Sequence, residues 1–293
     1  MVTRVAPIAG VAITHELAGP IQLEQRDAVE WSGTEATAPP LLIRHEVGDT
    51  RSTGMQPVLT VPPWCTFYVD HAGEPAAIFH GVLGEVERLL TTVIAGSVYR
   101  VRYAGAPREP VIPLQSELTA YSFGLAARGT GLIAHACAFV TPSGDGVLCP
   151  GVSGTGKTTL ARLLGAAAPA VTLLTDDRAI VTLDADAVRV WGSPWPGAAG
   201  IAGAASASLT TVVFIRHGAA FQRRLVSARE AFRRIVNTLS MPLWQPARCG
   251  QALEIVDAIV SRTRLIELTY PPTEAGARWV ASEVDNRVAA GVQ

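Results

Sequence analysis

The amino-acid sequence predicts an α/β protein: a mixed-sheet domain preceded by a small β-rich region. Two observations predict it. From about residue 130 onward, apolar runs of strand length interleave with segments of helical periodicity, which is the pattern of a layered α/β domain. Before residue 110 the apolar residues fall in short β-branched and aromatic runs punctuated by Gly, Pro and Asp, as in a sheet built from hairpins. The expected division is residues 1–110 and 111–293.

The first forty residues are loosely patterned and end in Ala36-Thr37-Ala38-Pro39-Pro40, which reads as a linker or extended arm. Strands are expected at Leu41–Val47, Val58–Val61, Thr66–Val69 and Ala77–His80, forming a small antiparallel unit. Leu83–Ile94 carries Val86, Leu89, Leu90 and Val93 at helical spacing, and Leu114–Arg128 reads as a second helix. Leu132–Val140 and Gly146–Pro150 are apolar strands joined by Thr141-Pro142-Ser143-Gly144-Asp145, whose turn chemistry predicts an antiparallel hairpin. A helix follows over Thr158–Leu164, then a strand over Val171–Leu174 and a hairpin of Ile180–Leu183 with Val188–Trp191. The uncharged stretch Val190–Ile215 is long enough to span a bilayer, but its Pro, Gly and Ser content marks a loop entering a strand. Strand Thr211–Arg216, helices near Ala228–Leu239 and Gln251–Ser261, and strand Leu265–Thr269 complete the order.

With 293 residues, 48% of them apolar, the chain can bury a core without disulfide or metal staples. A net charge of −1 with scattered arginines gives no basic bank, so nucleic acid and anionic membrane are not expected partners. Cys65, Cys137, Cys149 and Cys249 form no C-x-x-C pair, and residues Met1–Gly10 lack the layout of a signal peptide. A cytoplasmic protein with reduced thiols is the expectation. Of 24 basic residues only Lys157 is a lysine. Where arginine is used everywhere else, a single compact ammonium invites a chemical reason.

That reason lies in Gly151-Val152-Ser153-Gly154-Thr155-Gly156-Lys157-Thr158, which fits G-x-x-x-x-G-K-[ST] in full. Glycines let successive backbone N–H groups converge on phosphate oxygens at the positive end of the next helix. The candidate nucleotide-binding residues are Gly151, Ser153, Gly154, Thr155, Gly156, Lys157, Thr158 and Thr159. Lys157 would reach the β- and γ-phosphates of ATP, and the Thr158 hydroxyl would bind Mg²⁺. Downstream, Asp176-Asp177-Arg178 follows an apolar strand. One carboxylate there would position the metal, assigned to Asp177, and the other would take a proton from an attacking hydroxyl, assigned to Asp176. The two are interchangeable at this stage, because neighbouring strand residues point oppositely. His135, on the first strand of the hairpin, would be carried beside the loop and is a candidate assistant. The remaining histidines share no spacing that suggests zinc.

The His135 hairpin, the Gly151–Thr158 loop and the Asp176-Asp177-Arg178 group resemble the catalytic domain of HPr kinase/phosphorylase in order and spacing. The loop Gly-Val-Ser-Gly-Thr-Gly-Lys-Thr-Thr-Leu is also similar to that of ATP-dependent phosphoenolpyruvate carboxykinase, which shares that fold. The resemblance covers roughly residues 130–270. It implies a P-loop kinase domain of this type, using ATP and Mg²⁺ to phosphorylate a hydroxyl, most simply a serine on a peptide or small protein. Departures narrow it. The chain has no second lysine for a carboxykinase metal site, Gly192-Ser193-Pro194-Trp195-Pro196-Gly197 stands where the kinase signature is expected, and residues 1–110 do not resemble the usual amino-terminal domain. The likeness is therefore to divergent HPr-kinase-like proteins, some of which phosphorylate precursor peptides such as those of lasso peptides. Relatives include hexamers, so a homo-oligomer is an expectation of the resemblance alone. A small-metabolite kinase and a non-catalytic nucleotide sensor stay open. The segment Pro194–Ser208 is expected either to close over bound substrate, with Trp191 and Trp195 excluding water, or to be a loop with its tryptophans in the core.

Overall fold

The computed structural model describes residues 2–24, 38–82, 86–185 and 187–285. They form a mixed α/β protein of sixteen strands and five helices, dividing into two compact units. The first comprises residues 1–129 together with 242–250, and the second 130–241 with 251–293.

The amino-terminal unit is built on strands β1 (Val2–Ile8), β2 (Val11–Leu17), β3 (Ala38–Val47), β4 (Gln56–Val61), β5 (Cys65–Val69), β6 (Pro75–Val82), β7 (Val86–Ala95) and β8 (Val98–Tyr103). They make one sheet in the order β1-β2-β3-β8-β7-β6-β5-β4. Its β2–β3 and β3–β8 pairings are parallel, so the expected small antiparallel unit becomes a larger mixed sheet. Strands β1 and β2 replace a loosely patterned start. In β2 the inward positions are Val11, Ile13 and His15, and a buried imidazole hides the alternation that marks a strand. Of the supposed linker, Ala38-Pro39-Pro40 opens β3, while Ala36 and Thr37 lie outside the described residues.

The helix expected at Leu83–Ile94 is corrected to strand β7; residues 83–85 lie outside the described residues. Leu89 and Leu90, neighbours in sequence, are both buried, so both faces of the sheet are covered there and strict alternation fails. The β-branched run Thr91-Thr92-Val93-Ile94 and the hairpin that turns through Gly96 into β8 decide for strand. Helix α1 (Leu114–Arg128) forms as expected and ends at Gly129 in the left-handed conformation. It packs on β3, β6 and β7, which moves the expected boundary from 110 to 129.

The second unit holds β9 (Gly131–Val140), β10 (Gly146–Pro150), α2 (Lys157–Ala167), β11 (Thr172–Thr175), β12 (Arg178–Leu183), β13 (Val188–Trp191), β14 (Ser206–His217), β15 (Gln222–Leu225), α3 (Ala228–Val236), β16 (Arg264–Tyr270) and α5 (Glu274–Asp285). Helix α4 (Pro246–Arg262) begins in residues of the first unit and ends in this one. Both expected hairpins are present, β9 with β10 and β12 with β13, each antiparallel. Strands β10, β14 and β16 run parallel. β15, which sequence patterning did not reveal, is wholly exposed and closes the edge on β16. Because β10 pairs with β9 and β14, while β12 and β13 bridge those two long strands, β10-β9-β12-β13-β14 close into a ring.

Alternation along β9 builds two cores. Leu132, Ala134, Ala136 and Ala138 join Phe214, Ile235, Ile255 and Ile259 in one; Cys137 and Phe139 join Leu160, Leu164, Val213, Leu268 and Val280 in the other. Among the described residues no helix is long and apolar enough to cross a membrane.

Candidate active site

The glycine-rich loop runs from the end of β10 into α2. Gly154 (φ 83°) and Gly156 (φ 97°) take left-handed backbone conformations that only glycine adopts without strain. No side chain caps the first turn of α2, which leaves its amides at the positive end of the helix for an anion. Lys157 is buried, and its Nζ donates to the carbonyl oxygens of Gly151 (2.7 Å) and Val152 (3.0 Å), so the ammonium lies across the loop. Desolvation draws its pKa down, and the nearby Asp177 carboxylate opposes that shift. Thr155 Oγ1 donates to the Val152 carbonyl at 2.9 Å. Ser153, Gly154 and Thr159 are exposed, while Thr158 is half-buried.

On the β9 side of this loop stands the second cluster. The hairpin places Pro150 opposite Ala136, and the Gly151 N–H donates to the His135 carbonyl at 3.1 Å. His135 Nε2 lies 2.8 Å from Asp177 Oδ1, and Arg178 Nη1 lies 2.9 Å from Asp177 Oδ2. The hydrogen bond from His135 is the largest influence holding the Asp177 carboxyl below its usual pKa, with Arg178 and Lys157 adding to it. The His135 side chain is 38% exposed and that of Asp177 is 19%, so both are open to a ligand.

Asp176 is placed differently from Asp177. It is fully buried, and its carboxylate accepts N–H bonds from Gly197 (2.8 Å), Ala199 (2.8 Å) and Ile201 (3.3 Å). Through these bonds it anchors the loop between β13 and β14. The same loop is held by Arg178 donating to the Trp195 and Pro196 carbonyls, by Arg162 of α2 donating to Ala198, and by Gly203 N–H on Leu174. Trp195 is fully buried, and Trp191 donates to Thr182 Oγ1 at 2.8 Å. These contacts favour the second of the two expectations for Pro194–Ser208, a fastened loop with buried aromatic packing. Gly197 is required here: a Cβ would come within 2.6 Å of both Asp176 Oδ2 and Asp177 Cβ.

His135, Lys157, Asp177 and Arg178 are thus brought together beside the glycine-rich loop, while Asp176 is buried and bonded to the β13–β14 loop. His217, at the end of β14, was not singled out from the sequence. Its ring fills the space over Gly156, where a Cβ would fall 2.4 Å from both Cε1 and Nε2, and it packs edge-on against Tyr270. Its position at the end of an apolar strand parallel to β10 is the signal that could have found it. Among the described residues no group of three or more His, Cys, Asp or Glu side chains could by itself hold a metal. Compared with known families the chain matches no family model, and no curated protein matches it.

Proposed function

We propose that this protein is an ATP- and Mg²⁺-dependent kinase of HPr-kinase-like P-loop type, acting on a serine hydroxyl of a peptide or small protein. The observation that carries this reading is the Asp177 carboxylate, hydrogen-bonded to His135 beside a complete Gly-x-x-x-x-Gly-Lys-Thr loop. The loop amides and Lys157 hold the phosphates. Thr158 supplies a hydroxyl donor for Mg²⁺, a cation that takes most of its ligands from phosphates and water and so needs few from protein; Asp177, expected as its second ligand, is not given that role here, because one carboxylate cannot both hold the cation and take the proton. The base role passes from Asp176 to Asp177, because every hydrogen bond shown for Asp176 ties it to the β13–β14 loop.

In the transfer, the acceptor oxygen bonds to the γ-phosphorus as the bond from that phosphorus to the bridging oxygen breaks, and ADP departs. The hydroxyl proton goes to the Asp177 carboxylate, which His135 and Arg178 orient. The four free cysteines support a reducing, cytoplasmic setting.

Incubation with labelled ATP, Mg²⁺ and serine-bearing peptides, read by mass spectrometry, is expected to show phosphate added to serine. Asp177→Asn is expected to slow transfer by about 100-fold or more, with ATP affinity reduced far less. Full transfer by that variant would place the base elsewhere.

A further inference from the structure

Opposite the sheet face on which α2 packs, the second unit carries another polar site. Alternation along β14 sends Val213 and Ile215 into the core shared with α2, and His217 follows them beside Gly156. The intervening residues, Phe214 and then Arg216, take the other face, where Phe214 packs with Ile235 of α3. In β16 Ile266, Leu268 and Tyr270 belong to the α2 side, so Glu267 and Thr269 share the face of Arg216. Register sets Arg216 beside Thr269 and Thr269 beside Gln222, one row across three strands. A cavity of about 450 Å³ opens here, lined by Arg216, Gln222, Arg223, Arg224, Glu267 and Thr269. Its volume falls within the range of roughly 300–1,000 Å³ common for small-molecule sites.

Most of the charges around it are already paired. Buried Glu267 accepts from Arg224 (3.1 Å) and Arg234 (2.7 Å), and Glu230 pairs with the same two arginines. Arg234 also lies over the Phe214 ring at 4.0 Å, and Arg223 reaches Glu283 at 3.3 Å. These ties hold the walls in place. Arg216, Gln222 and Thr269 form no side-chain hydrogen bond or ion pair among the described residues. The groups left for a ligand are therefore one guanidinium, one amide and one hydroxyl.

We propose that this cavity binds a small organic acid through its carboxylate, at a site separate from the glycine-rich loop. The planar fork of Arg216 presents two parallel N–H donors, which match the two oxygens of a carboxylate. Gln222 and Thr269 meet a hydroxyl, amine or amide elsewhere on the same molecule. The charge balance selects a carboxylate over a phosphate. A phosphate carries more than one negative charge at neutral pH, and here it would face Glu267 with Arg216 as the one unpaired cation lining the cavity. The inference does not depend on the kinase reading, since Arg216 and His217 lie on opposite faces of the sheet.

The test is a ligand-observed NMR titration of the full chain with lactate, malate and glutamine, and with inorganic phosphate as the contrasting anion. At least one of the three acids is expected to bind at millimolar concentration, and phosphate is expected not to displace it. Arg216 is exposed, so its replacement is expected to leave the urea midpoint unchanged. Arg216→Ala is expected to weaken the bound acid about tenfold or more, as loss of a charged hydrogen bond does. Arg216→Lys, which keeps the charge and loses the fork, is expected to weaken it nearly as much. Lys157→Ala is expected to leave it unchanged. Binding of none of the acids, displacement by phosphate, full affinity in Arg216→Ala, or loss of the acid in Lys157→Ala would each overturn the assignment. None of these outcomes bears on transfer from ATP.

Discussion

Two adjacent aspartates carry opposite burdens here, and the difference can be measured. Asp176 is fully buried with three amide donors converging on it, so neutral replacement removes charged hydrogen bonds and turns an amide NH₂ toward backbone N–H groups. Asp176→Asn is expected to cost on the order of 3 kcal/mol of stability, visible as a lowered urea midpoint. The same change at Asp177, which is partly open to solvent and paired with side chains, is expected to cost about 1 kcal/mol or less. Equal losses at the two positions would contradict the supporting role assigned to Asp176. Since Asp176 fastens the β13–β14 loop, cleavage of that loop by protease in the native chain is expected not to change on adding nucleotide.

Elements of the amino-terminal sheet are joined by a buried polar chain that no surface contact substitutes. Glu117 of α1 meets His15 of β2 at 3.1 Å, His15 meets His45 of β3 at 2.8 Å, and His45 meets the Tyr103 hydroxyl of β8 at 2.8 Å. All four are at most 1% exposed. Burial first, and the neighbouring His15 second, push the His45 pKa down from 6.5 to about 3. The sign follows directly. The unfolded chain takes up this proton below pH 6.5 and the native chain does not until about pH 3, so stability is full above pH 6.5 and falls as the solution is acidified. Between those limits His45 alone is expected to remove about 1.4 kcal/mol per pH unit. Urea titrations at pH 7 and pH 5 should show the loss, and His45→Gln should flatten it. An unchanged slope in that variant would place the acid sensitivity elsewhere.

At the scale of the whole molecule, the chain visits its first unit twice. Residues 242–250 return to it, bringing Trp244, whose buried ring stacks on Phe67 at 5.2 Å and meets Phe123 edge-on at 4.8 Å. Trp244→Ala is expected to destabilise the protein by about 3–5 kcal/mol. A fragment ending at residue 129 would lack this ring and is expected to unfold more readily than one co-expressed with residues 242–250, by thermal melting.

The reach of the sequence differs along the chain for physical reasons. The α/β class, the two hairpins of the second unit and the loop around Lys157 were legible, because each depends on local chemistry: turn residues between apolar runs, or glycines before a lysine. The sheet of the first unit was less so, since His15 interrupts the alternation of β2 and double-sided burial gives β7 a helical look. Residue types and spacing alone determined that His135, Lys157 and an Asp pair belong to one neighbourhood. Which aspartate joins that neighbourhood and where α1 and Trp244 pack were decided only by the tertiary structure. These depend on the direction of a side chain and on partners far away in sequence, and neither quantity is written in local pattern.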